Sequence, residues 1–111
     1  MLILDAIIRF DTREENEQSL GNDLSTSGIL RLPVNLGDND NLFTGTLIAD
    51  KEDSLLIRGI EYSLLVEMRT VTTEAYNSIN HLVKVGNEFT FQAGCRTIGH
   101  GRILDFIYYD S

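Results

Sequence analysis

The chain has 111 residues, 17 acidic against 9 basic side chains, a formal net charge of −8, one cysteine and one proline. This length supports one domain with a modest core, and no run of 18 apolar residues exists to make a helical membrane span. The charge repels phosphate backbones and either attracts basic protein surfaces or serves only solubility, and the lone Cys95 leaves no intrachain disulfide, which points to a reducing, cytoplasmic setting.

Leu2 to Phe10 alternates with a period of two. Leu2, Leu4, Ala6, Ile8 and Phe10 share one face, whereas Ile3, Asp5, Ile7 and Arg9 share the other. Apolar Ile3 and Ile7 on the second face predict a strand partly covered on both sides. No basic n-region or cleavage site is present at this end, so no signal peptide is expected. Residues 11–27 have no period and carry five acids against one arginine, which reads as a long, solvated, acidic loop. Within it, Glu14, Glu15, Glu17 and Asp23 are candidate partner-binding residues.

Residues 29–34 form a short strand whose Pro33 places it at an edge or ends it. Residues 35–41 are turn chemistry. Their D-N-D-N run offers oxygens to calcium, but it lacks the twelfth-position Glu and the flanking helices of an EF-hand. Residues 42–49 are a strand with Gly45 as a bulge or close approach, and 50–54 a polar turn. Residues 55–69 read as β, interrupted by Gly59, with Ile60, Tyr62, Leu64, Val66 and Met68 inward and Leu65 an apolar exception outside. Residues 70–78 fit either β or one helical turn with Thr73 as N-cap. Residues 79–93 read as β, since Ile79, His81, Val83 and Val85 alternate and a Gly86-Asn87 turn precedes Phe89 and Phe91. Phe89, Phe91, Ile60, Tyr62, Leu64 and Val66 are the expected core.

The last β segment spans 96–108 and opens with a glycine-rich stretch. Gly94-Cys95 breaks the alternation, and Gly99 and Gly101 bracket His100. Glycines in a strand pattern mark a hairpin, a bulge or a sharp corner, so a β-corner is expected here. Many short strands separated by turn signals make the chain all-β, as a barrel or a sandwich.

The corner resembles the end of the third domain of translation elongation factor Tu, whose last hairpin runs F-x-I-R-E-G-G-R-T-V-G-x-G-V-V. Phe89, Gly94, Arg96, Thr97, Gly99 and Gly101 match, with Ile98, Ile103 and Leu104 as conservative equivalents. The similarity extends to Ser27-Gly28, Thr44-Gly45, Gly59 and Val66-Glu67-Met68. It implies a small antiparallel Greek-key barrel of about six strands in which Gly94, Arg96, Thr97, Gly99 and Gly101 are structural. The domain would stand alone, without a nucleotide-binding neighbour. Gly94 and Gly99 have the spacing of a phosphate loop, but His100-Gly101 follows where Lys and a helix are needed.

In that family the third domain touches the T-stem of aminoacyl-tRNA around its E-G-G and T-G motifs. Here Gly94 and Thr44 match, but Ala93 replaces the acid and Cys95 the second glycine. Alanine cannot accept a hydrogen bond from a base edge, and the basic residues form no stripe, so nucleic acid is the weaker expectation. His81, Cys95 and His100 would have to converge to make a metal or thiol–imidazole site, and they lack paired spacing. No enzymatic activity, cofactor or metal is expected. The reading that remains is an acidic protein-binding module. Ile3, Ile7 and Leu65 would be covered by a basic protein partner, as in an immunity or antitoxin protein, or by self-association as a homodimer. A translation-associated RNA binder is the alternative.

Overall fold

A computed structural model of the chain describes residues 1–37, 41–49 and 55–110. The turn expected at 50–54 and most of the D-N-D-N run lie outside the described residues. The elements are β1 (Leu2–Phe10), β2 (Leu24–Ser25), β3 (Leu30–Asn35), β4 (Phe43–Ile48), β5 (Leu55–Leu56), β6 (Glu61–Met68), helix α1 (Thr73–Ile79), β7 (Glu88–Ala93) and β8 (Arg96–Tyr108). Six strands close into a barrel in the order β1-β6-β4-β3-β7-β8, with every neighbouring pair antiparallel. Strands β3, β4 and β6 run side by side and β7 returns beside β3, which is a Greek key. Strands β2 and β5 form a separate two-stranded ribbon.

The period-two pattern of β1 sets the inside of the barrel. Leu2, Leu4, Ala6, Ile8 and Phe10 are all fully buried, together with Val34, Val66, Met68, Phe91 and Ile98. Phe91 sits at the centre, its ring 5.3 Å from that of Phe10 and edge-on at 5.5 Å to Phe89. Strand β1 is hydrogen-bonded to β6 on one side and to β8 on the other along its length. Among the expected core residues Ile60 is corrected. It is 47% exposed, because it lies in the turn before β6 rather than in the strand.

The expected corner at Gly99 and Gly101 is also corrected. Neither has a positive φ, and β8 runs unbroken through both. Their role is steric: a Cβ on Gly101 would lie 2.2 Å from Cζ of Phe89, and one on Gly99 would lie 2.8 Å from Cδ1 of Phe10. The reversal happens at Gly94, whose φ of 64° starts the tight turn to Cys95, the arrangement of a II′ hairpin.

Two bulges then set which residues of β8 face out. Phe91 pairs with Gly99 but Gln92 with Thr97, leaving Ile98 as an extra residue, so Ile98 and Gly99 are both buried. Asp5 pairs with Asp105 but Ala6 with Ile103, leaving Leu104 extra. Beyond Leu104 the parity flips, and Asp105 and Ile107 are exposed while Phe106 and Tyr108 are partly buried.

Residues 55–69 are interrupted at Gly59 as expected: at φ 85° it turns the chain between β5 and β6. Residues 79–93 are β only from Glu88. Ahead of it α1 and a 3-10 turn (Asn80–Leu82) take the chain, capped by the Thr72 hydroxyl, which accepts from the Ala75 N–H at 3.2 Å. Ile79 and Val83 are both buried at a spacing of four, whereas His81 and Val85 are exposed. The alternation coincided with one face of a helical turn. The Tyr76 ring stacks on that of Tyr108 at 4.1 Å, fixing α1 to the end of β8.

Candidate functional site

The acidic loop leaves β1 at Phe10 and is held to the barrel by buried polar groups. Asp11 and Ser19 are buried, and the Ser19 hydroxyl donates to the Asp11 carbonyl at 2.6 Å. The Asn16 amide donates to the Asp11 carboxylate at 3.0 Å and to the Thr97 carbonyl at 2.9 Å, which ties the loop to β8. The other Asp11 carboxylate oxygen lies 3.3 Å from Nε2 of His100 and 3.8 Å from a guanidinium nitrogen of Arg9. A buried carboxylate needs such partners, and these fix the path of residues 11–19.

The four candidate acids therefore divide into two kinds. The Glu15 carboxylate accepts from the Thr12 N–H at 2.8 Å and from Arg9 at 2.6 Å, and these bonds, the backbone one first, hold its pKa below the ordinary value. Asp23 accepts from the backbone N–H of Arg58 at 3.0 Å and from its guanidinium at 3.1 Å, and its pKa is lowered for the same reasons in that order. Both carboxylates act as clamps, one on the loop and one on the turn after β5. Glu14 and Glu17 are exposed and make no ion pair among the described residues.

Ile3 and Ile7 sit elsewhere. Both are half-buried on the outer face of β1. Ile3 lies eight residues before Asp11 on an extended strand, roughly 25 Å from the acidic loop at about 3.3 Å per residue. Register places Ile3 opposite Ile107 of β8, while Leu65 of β6 lies opposite both Asp5 of β1 and Ile48 of β4. Ile3 pairs with Glu67, so Leu65 is its diagonal neighbour. The outcome is an outward aliphatic row, Ile107–Ile3–Leu65–Ile48, crossing four strands. Ile107 is 49% exposed, Ile48 41% and Leu65 40%.

Carboxylates flank this row on both sides. Asp5 and Asp105 face each other across β1 and β8 on one side, and Glu67 lies on the other. Ile3, Asp5, Leu65, Asp105, Phe106 and Ile107 line a shallow depression of about 290 Å³. Glu67 reaches Arg69 at 3.7 Å, but neither Asp5 nor Asp105 has an ion pair among the described residues. Asp105 turns back to accept from the N–H of Phe106 at 2.8 Å. Ile7 lies beyond Asp5, in a separate 370 Å³ cleft with Arg9, His100, Arg102, Glu61 and Glu88.

Asp5, Ile48, Asp105 and Ile107 were missed in the sequence. Asp5 reads as an ordinary outward polar residue, and Ile107 turns outward only because of the Leu104 bulge, which no glycine marks. Of the corner residues, Arg96 reaches the Ala93 carbonyl through Nε at 3.4 Å and Thr97 receives the loop through its carbonyl. Cys95 is exposed at the hairpin turn and His81 is exposed in the 3-10 turn. No group of three or more potential ligands that could hold a metal occurs among the described residues, so His81, Cys95 and His100 make no such set. No helix among the described residues is long and apolar enough to cross a membrane. No protein-family model matches the chain, and no curated protein matches it.

Proposed function

We propose that the protein is a non-enzymatic, cytoplasmic binding module that holds a basic partner protein against the outer face of β4, β6, β1 and β8. The observation that carries this reading is the row Ile107–Ile3–Leu65–Ile48 with carboxylates on both flanks. Contiguous aliphatic side chains on a barrel exterior gain by leaving water, and the acids beside them select a cationic surface. Glu14 and Glu17, as part of the net charge of −8, speed encounter without having to touch the partner. Sequestering a basic toxin, as an immunity or antitoxin protein does, is the biological role these properties fit. The Greek-key barrel and the hairpin turn at Gly94 are the features a kinship with the third domain of elongation factor Tu would require. The RNA reading rests on that resemblance. It is disfavoured by Arg9, Arg58 and Arg69, whose guanidinium groups lie against carboxylates of the same chain.

The test is affinity capture from the host with the wild type, with Leu65→Lys and with Glu14→Gln/Glu17→Gln, followed by identification of bound protein and RNA. A basic protein lost with Leu65→Lys and retained with the loop variant supports the reading. Binding of tRNA at physiological salt that Leu65→Lys leaves intact contradicts it.

A further inference from the structure

The geometry points to an amphipathic α-helix with cations on both flanks of its apolar stripe as the occupant of this face; we infer that neither an added strand nor a second copy of the chain fills it. The inference rests on the binding reading above and narrows it to one kind of ligand.

Backbone accounting argues against a strand over the middle of the face and at its β8 border. β1 is paired with β6 and with β8 along its length, so the middle of the face offers side chains and no free ladder. At the β8 border, Met1 and Tyr109 exchange both backbone bonds at 2.9 Å, and Ile3 pairs with Ile107 two residues on. By that alternation the Phe106 N–H points away from β1, and the Asp105 carboxylate already occupies it. The edge nearest the row is thus blunted by a charge.

Charge removes the second copy. A two-fold pairing would set Asp5, Asp105 and Glu67 of one copy against the same three acids of the other. Among the described residues, the cation paired beside the row is Arg69, and it lies against Glu67.

Length and direction select the helix. Along the barrel surface the row covers three strand-to-strand steps of about 4.8 Å and one two-residue step along the strands, close to 16 Å. Three helical turns of 5.4 Å cover the same distance. Apolar residues at i, i+4 and i+7 would meet Ile107, Ile3 and Leu65, which line one depression, and a further one at i+11 would lie toward Ile48 on the next strand. Asp5 and Asp105 lie on one side of that diagonal and Glu67 on the other, so lysines or arginines are wanted on both flanks of the stripe.

The experiment uses the full chain, labelled for NMR, and three 15-residue peptides. One carries Leu at i, i+4, i+7 and i+11 with Lys elsewhere, one has the same composition in strict alternation, and one has Glu in place of Lys. The helical basic peptide is expected to bind at least tenfold more tightly than either other peptide and to shift resonances of Ile3, Asp5, Leu65 and Ile107. Leu65→Lys and Asp5→Lys should each weaken it at least tenfold, while Val85→Thr, at an exposed residue away from the row, should change it less than threefold. Equal binding by the alternating peptide at the same residues would overturn the helix and leave the face as a binding site. No binding by the helical peptide, shifts centred on residues 13–18, or a concentration-dependent dimer burying Leu65 would also overturn the helix. The first of these leaves the capture test of the binding reading standing, since that test does not depend on peptide shape.

Discussion

Gly101 shows how a residue can be legible in the sequence while its reason is not. Its place in a strand pattern marks it as unusual, and backbone freedom is the obvious explanation. The Phe89 ring over its Cα supplies the actual one. Gly101→Ala should therefore destabilise by about 1–3 kcal/mol through overpacking. In urea denaturation, much of that loss should be recovered when Phe89→Leu is combined with it, because the smaller side chain vacates the space. Gly94→Ala should cost about 1–2 kcal/mol through its left-handed backbone, with no recovery from Phe89→Leu. Equal behaviour of the two variants in the Phe89→Leu background would contradict the assignment. Glu15 and Asp23 also belong to this scale. Both have folded-state pKa values below the ordinary ones, so their stabilisation is complete above the ordinary carboxylate range and is lost as pH falls through the lowered values. Asp23→Asn should flatten the acid limb of the unfolding curve.

At the scale of elements, β1 could be read almost residue by residue, because a strand buried on one face must alternate and nothing competes with that signal. Strand β8 could be located but not oriented. Its extra residues at Ile98 and Leu104 shift the inward set twice, and a bulge at Leu104 with no glycine leaves no trace in composition. The β8 border of the proposed binding face depends on that second shift, which is why Asp105 and Ile107 went unnoticed while Ile3 and Leu65 did not. The segment around α1 failed for another reason. Ile79, His81, Val83 and Val85 satisfy a period of two, but only Ile79 and Val83 are buried, and their spacing of four is helical. The threonine cap was one residue from the expected position. Thr72→Ala should destabilise by about 1 kcal/mol. Because Tyr76 of α1 stacks on Tyr108, the same change should raise amide exchange at the end of β8 more than in β3.

For the whole molecule, the sequence announced acidity and the structure distributes it. Part of the charge is spent internally, in the Arg9–Glu15 and Arg58–Asp23 pairs. Glu14 and Glu17 project from a loop at one end of β1, and Asp5, Asp105 and Glu67 border the aliphatic row nearer the other. In the proposed function, encounter and holding are thereby separated along the barrel. Neutralising Glu14 and Glu17 together should slow association and reduce its salt dependence with little change in dissociation. Leu65→Lys should mainly speed dissociation. Stopped-flow and surface-binding rates measured with the captured partner separate the two effects.

The most direct measurement places a photo-crosslinking amino acid, one site at a time, at Ile107, Leu65, Glu14 and Val85 of the full chain in its host. Positions 107 and 65 are expected to crosslink to the same basic protein, position 14 to it weakly, and position 85 not at all. Crosslinks from 107 and 65 to another copy of the chain or to RNA, or strong protein crosslinks from position 85 alone, would contradict it.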